Sequence, residues 1–251
     1  MAVLAFEGRF PILYGSYPVP VGSSVVQGYL ARPDDAGIFP SVLLLHDISG
    51  ITGTEKDLAR RLARRGFVAL AVDLYRRRRP PADLDDAFAA YAATKDESAL
   101  IAIDEGYQFL QSEDVPWTSK PDVALVGLDI GGRFALLYAF DNPAVRSVVV
   151  AYTPLGGDED RSRPLAAVIP RLSVPILGVF GADDDKVPVE SVDLAAQLAP
   201  GGQWLLYEGA GHDFLDPDAA SYHGGAASDA EARMLELLGA TMPPPRPAAA
   251  G

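Results

Sequence analysis

The segment VALVGLDIGGRFALLYAF, residues 123–140, combines an apolar strand, a turn flanked by glycines and an apolar helix. A G-x-x-x-G turn between a strand and a helix holds its middle residue on a strained elbow, with the side chain outward and helix-start N–H groups beside it. That residue is usually Ser or Cys. Here it is Asp129. The segment therefore predicts a strand–elbow–helix unit that presents a carboxylate.

Length and composition predict a single domain. The chain has 251 residues, of which 49% are hydrophobic, so it can bury one large core. We place the domain at residues 1–240 and expect the Pro- and Ala-rich residues 241–251 to form a flexible tail. The polar, proline-bearing segment 76–96 is too short to be an independent lid, so no separate cap domain is expected.

The charge balance restricts the kind of partner. With 21 basic and 34 acidic residues the net charge is −13, whereas nucleic acids and anionic membranes require a clustered basic face. We expect a small organic substrate and water as partners, no nucleic acid and no membrane, and we leave a homo-oligomer open. The N-terminus shows no basic region followed by an apolar one, and no apolar stretch approaches about 18 residues, which predicts a cytoplasmic protein.

Apolar runs and amphipathic segments alternate along the chain. Strands are predicted at Val25–Ala31, Ser41–His46, Phe67–Tyr75 and Val123–Val126, and in the runs that end at Tyr152, Gly181 and Gly209; helices are predicted at Thr54–Gly66 and Ala99–Ser112, after the elbow, near Val189–Leu198 and around Asp229–Leu238. Continuous apolar strands that alternate with helices are typical of a mostly parallel sheet covered on both faces. The predicted fold class is therefore α/β.

Reactive groups of such sheets lie in loops beyond the carboxyl ends of the strands. Three loops qualify: the elbow at Asp129, the run of carboxylates in FGADDDKVP (residues 180–188), and EGAGHDF (residues 208–214), which contains His212. Nucleophile, acid and histidine in this chain order are the arrangement of α/β-hydrolase triads, in which the acid orients the histidine base.

The order and spacing of several motifs resemble the dienelactone hydrolase family of the α/β-hydrolase fold, from about Gly28 to Leu238. The matching stretches are GYLARP, PSVLLLHDISGI, DLARRLARRGFVALAVDLYRR, VGLDIGG, GADDDKVP and YEGAGHDF. The resemblance implies a hydrolase without a cofactor. It also implies that Asp184, rather than Asp183 or Asp185, orients His212.

The resemblance assigns further roles. The backbone N–H groups of Ile48 and Ile130 correspond to the oxyanion-hole donors. Asp47 stands where the family often has a Glu that contacts the resting nucleophile. Arg76 and Arg77 occupy the loop in which the family places polar substrate contacts.

Two positions depart from the family pattern: Asp129 replaces the Cys or Ser nucleophile, and Asp216 stands where an Arg that binds a substrate carboxylate is expected. A carboxylate that attacks an ester would form a costly anhydride. Attack on an sp³ carbon instead leaves an ordinary alkyl ester, which water activated by His212 can hydrolyse. The sequence thus favours epoxide hydrolysis through an Asp129 ester, with Tyr152 as the acid for the alkoxide.

Several alternatives remain open. Hydrolytic dehalogenation is the next alternative after epoxide hydrolysis. It is less favoured because the candidate halide donors, Trp117 and Trp204, lie in neither the elbow nor the oxyanion loop. Ester or lactone hydrolysis is a further alternative, as is an inactive or engineered variant that acts as a binding protein. His46 and Asp47 fit scaffold and substrate-contact roles equally well. A metal site is not expected, because the chain has no Cys and no histidine pair at ligand spacing.

Overall fold

The structure is a computed structural model that describes residues 8–21, 24–76, 79–157 and 163–247. The strands are β1 (Ile12–Val21), β2 (Ser24–Pro33), β3 (Phe39–Leu45), β4 (Val68–Val72), β5 (Thr118–Leu128), β6 (Val145–Ala151), β7 (Ile176–Gly181) and β8 (Gln203–Tyr207). The helices are α1 (Gly53–Arg64), α2 (Leu84–Ala93), α3 (Asp96–Gln111), α4 (Ile130–Asp141), α5 (Leu165–Val168), α6 (Val189–Leu198) and α7 (Gly224–Thr241), with a 3₁₀ turn at Ile169–Arg171.

The eight strands form one sheet in the order β1-β2-β4-β3-β5-β6-β7-β8. β1 and β2 pair antiparallel with each other, and β2 pairs antiparallel with β4. All the other pairs are parallel, so the predicted mostly parallel sheet is confirmed. β4 lies on one side of β3 and β5 on the other, which makes this point the switch in strand order where such sheets form their binding crevice. The loops that follow β3 and β5 flank that crevice.

Side chains alternate between two cores because successive residues of a strand point to opposite faces. Leu43 packs on one face with Ile103 of α3 and Phe134 of α4. Leu44 packs on the other face with Leu62 of α1 and with residues of α7. The prediction of helices on both faces is confirmed, and the burial of both strand faces explains why residues 42–45 of β3 are all apolar.

Strand β1 was absent from the predicted elements. Its sequence, ILYGSYPVPV, contains two prolines, and a proline in a strand is tolerated at a sheet edge because it has no N–H to donate. β1 is such an edge strand, paired on one side with β2. The segment 76–96 contributes α2, whose N-cap Asp83 accepts a hydrogen bond from the Asp86 N–H at 2.9 Å. Apart from Asp96, the first residue of α3, the described residues of that segment contain no other helix or strand.

The C-terminal boundary differs from the predicted one. α7 extends to Thr241, and Met242 is buried among side chains of the core. Arg246 exchanges two backbone hydrogen bonds with Ile38, at 2.7 and 3.0 Å. Residues 241–247 are thus attached to the domain, because Arg246 supplies the N–H that its neighbouring prolines lack. Residues 248–251 of the predicted tail lie outside the described residues.

Candidate active site

Asp129 sits at the elbow between β5 and α4 with φ +47° and ψ −119°, a conformation that few non-glycine residues adopt. The glycines around it permit the turn. A Cβ on Gly127 would collide with the backbone of Gly131 and Gly132, and one on Gly131 would collide with the carbonyl of Leu45. The glycine pattern is therefore required by the close approach of α4 to β5 and to the end of β3.

The two carboxylate oxygens of Asp129 have different surroundings. Oδ2 accepts a hydrogen bond from the Ile48 N–H at 3.1 Å, and the Ile130 N–H is a second backbone donor to the carboxylate. Oδ1 lies 3.9 Å from His212 Nε2. The structure thus brings both predicted oxyanion donors to Asp129 and leaves a gap between its other oxygen and the histidine.

Asp184 holds the other nitrogen of the His212 ring. Asp184 Oδ2 lies 2.8 Å from His212 Nδ1, and Oδ1 accepts the N–H groups of Lys186 and Val187 at 2.8 and 3.0 Å. Asp183 and Asp185 are exposed, so Asp184 is the member of the carboxylate run that contacts the histidine. With Nδ1–H donated to Asp184, His212 presents Nε2 toward Asp129.

A third carboxylate, Asp213, was missing from the predicted site residues. Its Oδ1 is 3.6 Å from His212 Nε2, and its Oδ2 is 3.9 Å from Lys186 Nζ. The signal that could have found it is its position directly after the histidine in GHDF. His212 is therefore surrounded by three carboxylates, one at Nδ1 and two at Nε2.

Burial and charge shift the pKa values of these groups. Burial raises the pKa of Asp129 to about 6, against the lowering effects of His212 and the two backbone donors. Burial lowers the pKa of His212, but the hydrogen bond to Asp184 and the neighbouring carboxylates outweigh it, and the net shift is upward. For Asp184, burial raises the pKa, but His212 and the backbone donors lower it by more, so the net shift is downward. At neutral pH Asp129 and Asp184 are thus ionised.

The loop after β3 is held by its own hydrogen bonds. His46 accepts the Leu74 N–H at Nε2 (3.0 Å), lies 2.6 Å through Nδ1 from the carbonyl of Asp47, and is fully buried. Asp47 accepts the Ser49 N–H at 2.6 Å, and burial, followed by repulsion from Glu55, raises its pKa to about 8. Both ring nitrogens of His46 are used internally, which favours the scaffold role for this residue.

Glu55 is a buried residue that the motifs did not identify. It closes the capping box of α1 with Thr52 and also accepts the Asp47 N–H at 3.3 Å. The loop that carries Ile48 is thereby fixed to the start of α1.

The other predicted contact residues are distributed differently. Tyr152 is buried, with its ring centroid 5.1 Å from that of His212. Arg76 forms an ion pair with Glu105 of α3 at 2.7 Å, and Arg77 lies outside the described residues. Tyr75, which was not predicted, donates its hydroxyl to the Ile48 carbonyl at 2.8 Å. After burial, Asp129 is the largest contributor to the raised pKa of Tyr75, which indicates that this phenol lies near the elbow.

Neither a metal cluster nor a membrane-spanning helix is found in the described part of the chain. It contains no group of three or more His, Cys, Asp or Glu residues arranged to hold a metal ion. Across the same ranges, none of the helices is long and apolar enough to traverse a bilayer.

Replacing Asp129 by Asn is expected to raise the free energy of unfolding by about 2–3 kcal/mol at pH 7. The folded protein binds the Asp129 proton more tightly than the unfolded chain does, since the pKa rises from the ordinary value near 4 to about 6. Ionised Asp129 therefore costs stability, and the cost appears as the pH rises through this window. Urea unfolding at pH 4, 5, 6 and 7 should show a gain for the variant that grows up to pH 6 and is then constant. Equal stability of the two proteins at pH 7 would contradict the buried, ionised carboxylate.

The sheet order, the elbow and the histidine loop together define an α/β-hydrolase. The model of the family described as the dienelactone hydrolase family matches residues 26–242, and the chain belongs to that family. It is 32% identical over 239 residues to an Escherichia coli K12 protein provisionally named carboxymethylenebutenolidase, covering 90% of this chain and 86% of that one.

Two further comparisons agree. A protein of Methylorubrum extorquens with the same provisional name is 30% identical over 238 residues, covering 90% of this chain and 80% of that one. The crystal structure of a protein from Klebsiella pneumoniae, provisionally named dienelactone hydrolase, superposes with a TM-score of 0.84 at 28% identity, covering 91% of this chain and 99% of that one.

Proposed function

We propose that this hydrolase uses the Asp129 carboxylate to attack an alkyl carbon and hydrolyses the resulting ester, with an epoxide as the favoured substrate. The observation that carries the proposal is that the two carboxylate oxygens of Asp129 have different contacts. Oδ2 is held by the Ile48 N–H, while Oδ1 lies 3.9 Å from His212 Nε2, beyond hydrogen-bond distance. The space beside these two atoms is here called the gap. One oxygen is anchored and the other is available to a carbon electrophile.

The second step begins with the ester on Asp129. A water in the gap would give a proton to His212 Nε2 while its oxygen bonds to the Asp129 carbonyl carbon. The carbonyl oxygen of the ester, which corresponds to Oδ2 and is held by the Ile48 N–H, would then carry the negative charge. A backbone donor of this kind typically contributes about 3 kcal/mol to the stabilisation of an oxyanion, and the Ile130 N–H is the second backbone donor to this carboxylate. When the carbon–oxygen bond to the alkyl group breaks, His212 returns its proton to the departing alkoxide.

The first step needs an acid when the electrophile is an epoxide, because ring opening produces an alkoxide. Tyr152 is buried against His212, whereas Tyr75 is half-buried beside the oxyanion loop. We therefore assign the acid role to Tyr75 in place of Tyr152. The Tyr75 phenolate would regain its proton from the carboxylic acid left on Asp129 after hydrolysis, which restores both residues and closes the cycle.

Halide release has weaker support. The Trp204 N–H donates to the Ala199 carbonyl at 3.2 Å, and Trp117 lies under the Arg32 guanidinium, 4.9 Å from it. Each of these indoles contacts a partner away from Asp129.

The charge around Asp129 favours a neutral substrate. Asp213 is close to the reacting atoms, and Arg76 is engaged by Glu105. A carboxylate on the substrate would be repelled, in line with the acidic Asp216 at the position of the family's carboxylate-binding Arg.

A cytoplasmic location, a homo-oligomer and the absence of a nucleic-acid partner remain predictions from the sequence.

Ester or lactone hydrolysis is the second candidate, because the curated relatives carry the name of a lactone hydrolase. In that case His212, oriented by Asp184, would activate a water that attacks the substrate carbonyl directly. A binding protein without turnover is disfavoured, because it would need neither the 2.8 Å contact between His212 and Asp184 nor the strained elbow.

Replacing Asp129 by Ser separates the two candidates. Ser paired with His212 restores an acyl-transfer triad, so the variant should lose turnover of epoxides and gain hydrolysis of activated aryl esters by at least roughly tenfold. Both activities are measured for the wild-type protein, for this variant and for Asp129→Asn. The Asn variant has no nucleophile and should show neither epoxide turnover nor aryl-ester hydrolysis. Rapid aryl-ester hydrolysis by the wild-type protein, not improved in the Ser variant, would favour the ester hydrolase.

A further inference from the structure

Asp213 has a left-handed backbone conformation, which Asp adopts more readily than most non-glycine residues. Its φ is +57°, and Asp129 and Tyr152, which both lie close to His212, also have positive φ values. Such conformations cost free energy in non-glycine residues and persist where the surrounding structure enforces them. Among the described residues the fourth non-glycine residue with a positive φ is Arg76, so three of the four lie beside His212.

The two oxygens of Asp213 face different groups. Oδ1 is 3.6 Å from His212 Nε2, the same nitrogen that faces Asp129, and Oδ2 is directed to Lys186 Nζ at 3.9 Å. The Asp213 side chain is 36% exposed, whereas that of His212 is 6% exposed. Asp213 therefore places a partly exposed carboxylate beside Nε2, the nitrogen at which the hydrolytic water of the proposed mechanism must bind.

A hydrolytic water has two hydrogens, and His212 takes only one of them. A second acceptor is needed to fix the orientation of the oxygen lone pair that attacks carbon. A water bonded to Nε2 at about 2.8 Å can lie at the same distance from Asp213 Oδ1, because these two atoms are only 3.6 Å apart.

We propose that Asp213 is a catalytic residue of the hydrolytic step. Asp213 accepts a hydrogen bond from the second hydrogen of the water, while His212 removes the first hydrogen as a proton. The proposal rests on the Asp129 ester of the proposed function. One O–H bond of the water breaks, its proton goes to Nε2, and the water oxygen bonds to the carbonyl carbon of Asp129, while the π electrons of the carbonyl move to the oxygen held by the Ile48 N–H. Asp213 acts only as a hydrogen-bond acceptor, and no proton is transferred to it in this step.

The test compares two substitutions that suit a positive φ. Asp213→Gly removes the acceptor and relieves the backbone, whereas Asp213→Asn keeps an acceptor oxygen and tolerates the conformation. Asp218→Asn, an exposed carboxylate in the same loop, is the matched control. Single-turnover reactions with an aryl-substituted epoxide are quenched at intervals, and the ester on the peptide that contains Asp129 is quantified by mass spectrometry.

The Gly variant should form the ester at a rate close to wild type and lose it roughly 10- to 100-fold more slowly. The Asn variant should retain most of the hydrolytic rate, the control all of it, and the melting temperature of the Gly variant should not fall. Ester decay at the wild-type rate in the Gly variant, or an equal slowing of ester formation and decay, would overturn the role of Asp213. If no ester forms even in His212→Ala, the proposed function itself fails, and that outcome differs from both of these.

Discussion

Replacing His212 by Ala is expected to lower epoxide turnover by about 10³- to 10⁴-fold and to leave the substrate covalently attached to Asp129. Alkylation of Asp129 needs no base, because the carboxylate is ionised above about pH 6. Hydrolysis of the ester does need a base, and His212 Nε2 is the basic nitrogen that faces Asp129, at 3.9 Å. The first step thus continues while the second one stops.

The measurement is intact mass after exposure to an epoxide, followed by mapping of the modified peptide. One equivalent of adduct on the peptide that contains Asp129 is expected, and none on the double variant that also carries Asp129→Asn. An unmodified His212→Ala protein, shown to be folded by circular dichroism, would argue against a covalent intermediate.

Replacing Asp184 by Asn should reduce turnover by about 10³- to 10⁴-fold while the fold is retained. The side chain is oriented by two backbone donors, since Oδ1 accepts the N–H groups of Lys186 and Val187. An Asn amide must keep its oxygen there, so its NH₂ group would face His212 Nδ1. The ring would then carry its proton on Nε2 and could no longer accept one from water.

The neighbouring carboxylates provide matched controls. Asp183 and Asp185 lie in the same loop and are exposed, so their Asn variants should keep wild-type turnover. Ester should accumulate on Asp129 in the Asp184 variant as it does in His212→Ala. Its decay in the Asp184 variant should be slower than in the wild-type protein. Full turnover by Asp184→Asn would remove the orienting role from this residue.

The sequence was informative where geometry leaves few choices. The glycines around Asp129 are required by backbone contacts with β5, α4 and the end of β3, so the elbow could be recognised without a structure. The continuous apolar runs predicted a covered parallel sheet because buried strands have no polar face. Among three adjacent carboxylates, the family pattern selected Asp184, the one that the structure places on His212.

Features that depend on distant contacts could not be predicted. Strand β1 is held by its pairing with β2. Its two prolines argue against a strand when the sequence is considered alone. Tyr75 and Asp213 approach the elbow only after separate loops converge. Arg76 looked like a substrate contact from its loop, and no local signal identified Glu105, 29 residues later, as its partner.

The most direct test of the central claim follows the oxygen of water through one turnover. Excess enzyme is allowed to consume a limiting epoxide in heavy-oxygen water, and the product and the peptide that contains Asp129 are analysed by mass spectrometry. If Asp129 attacks carbon, the product hydroxyl carries an unlabelled oxygen from the carboxylate, and the label enters Asp129 when the ester is hydrolysed. Labelled product together with an unlabelled Asp129 peptide would show that water attacks the substrate directly and would contradict the account.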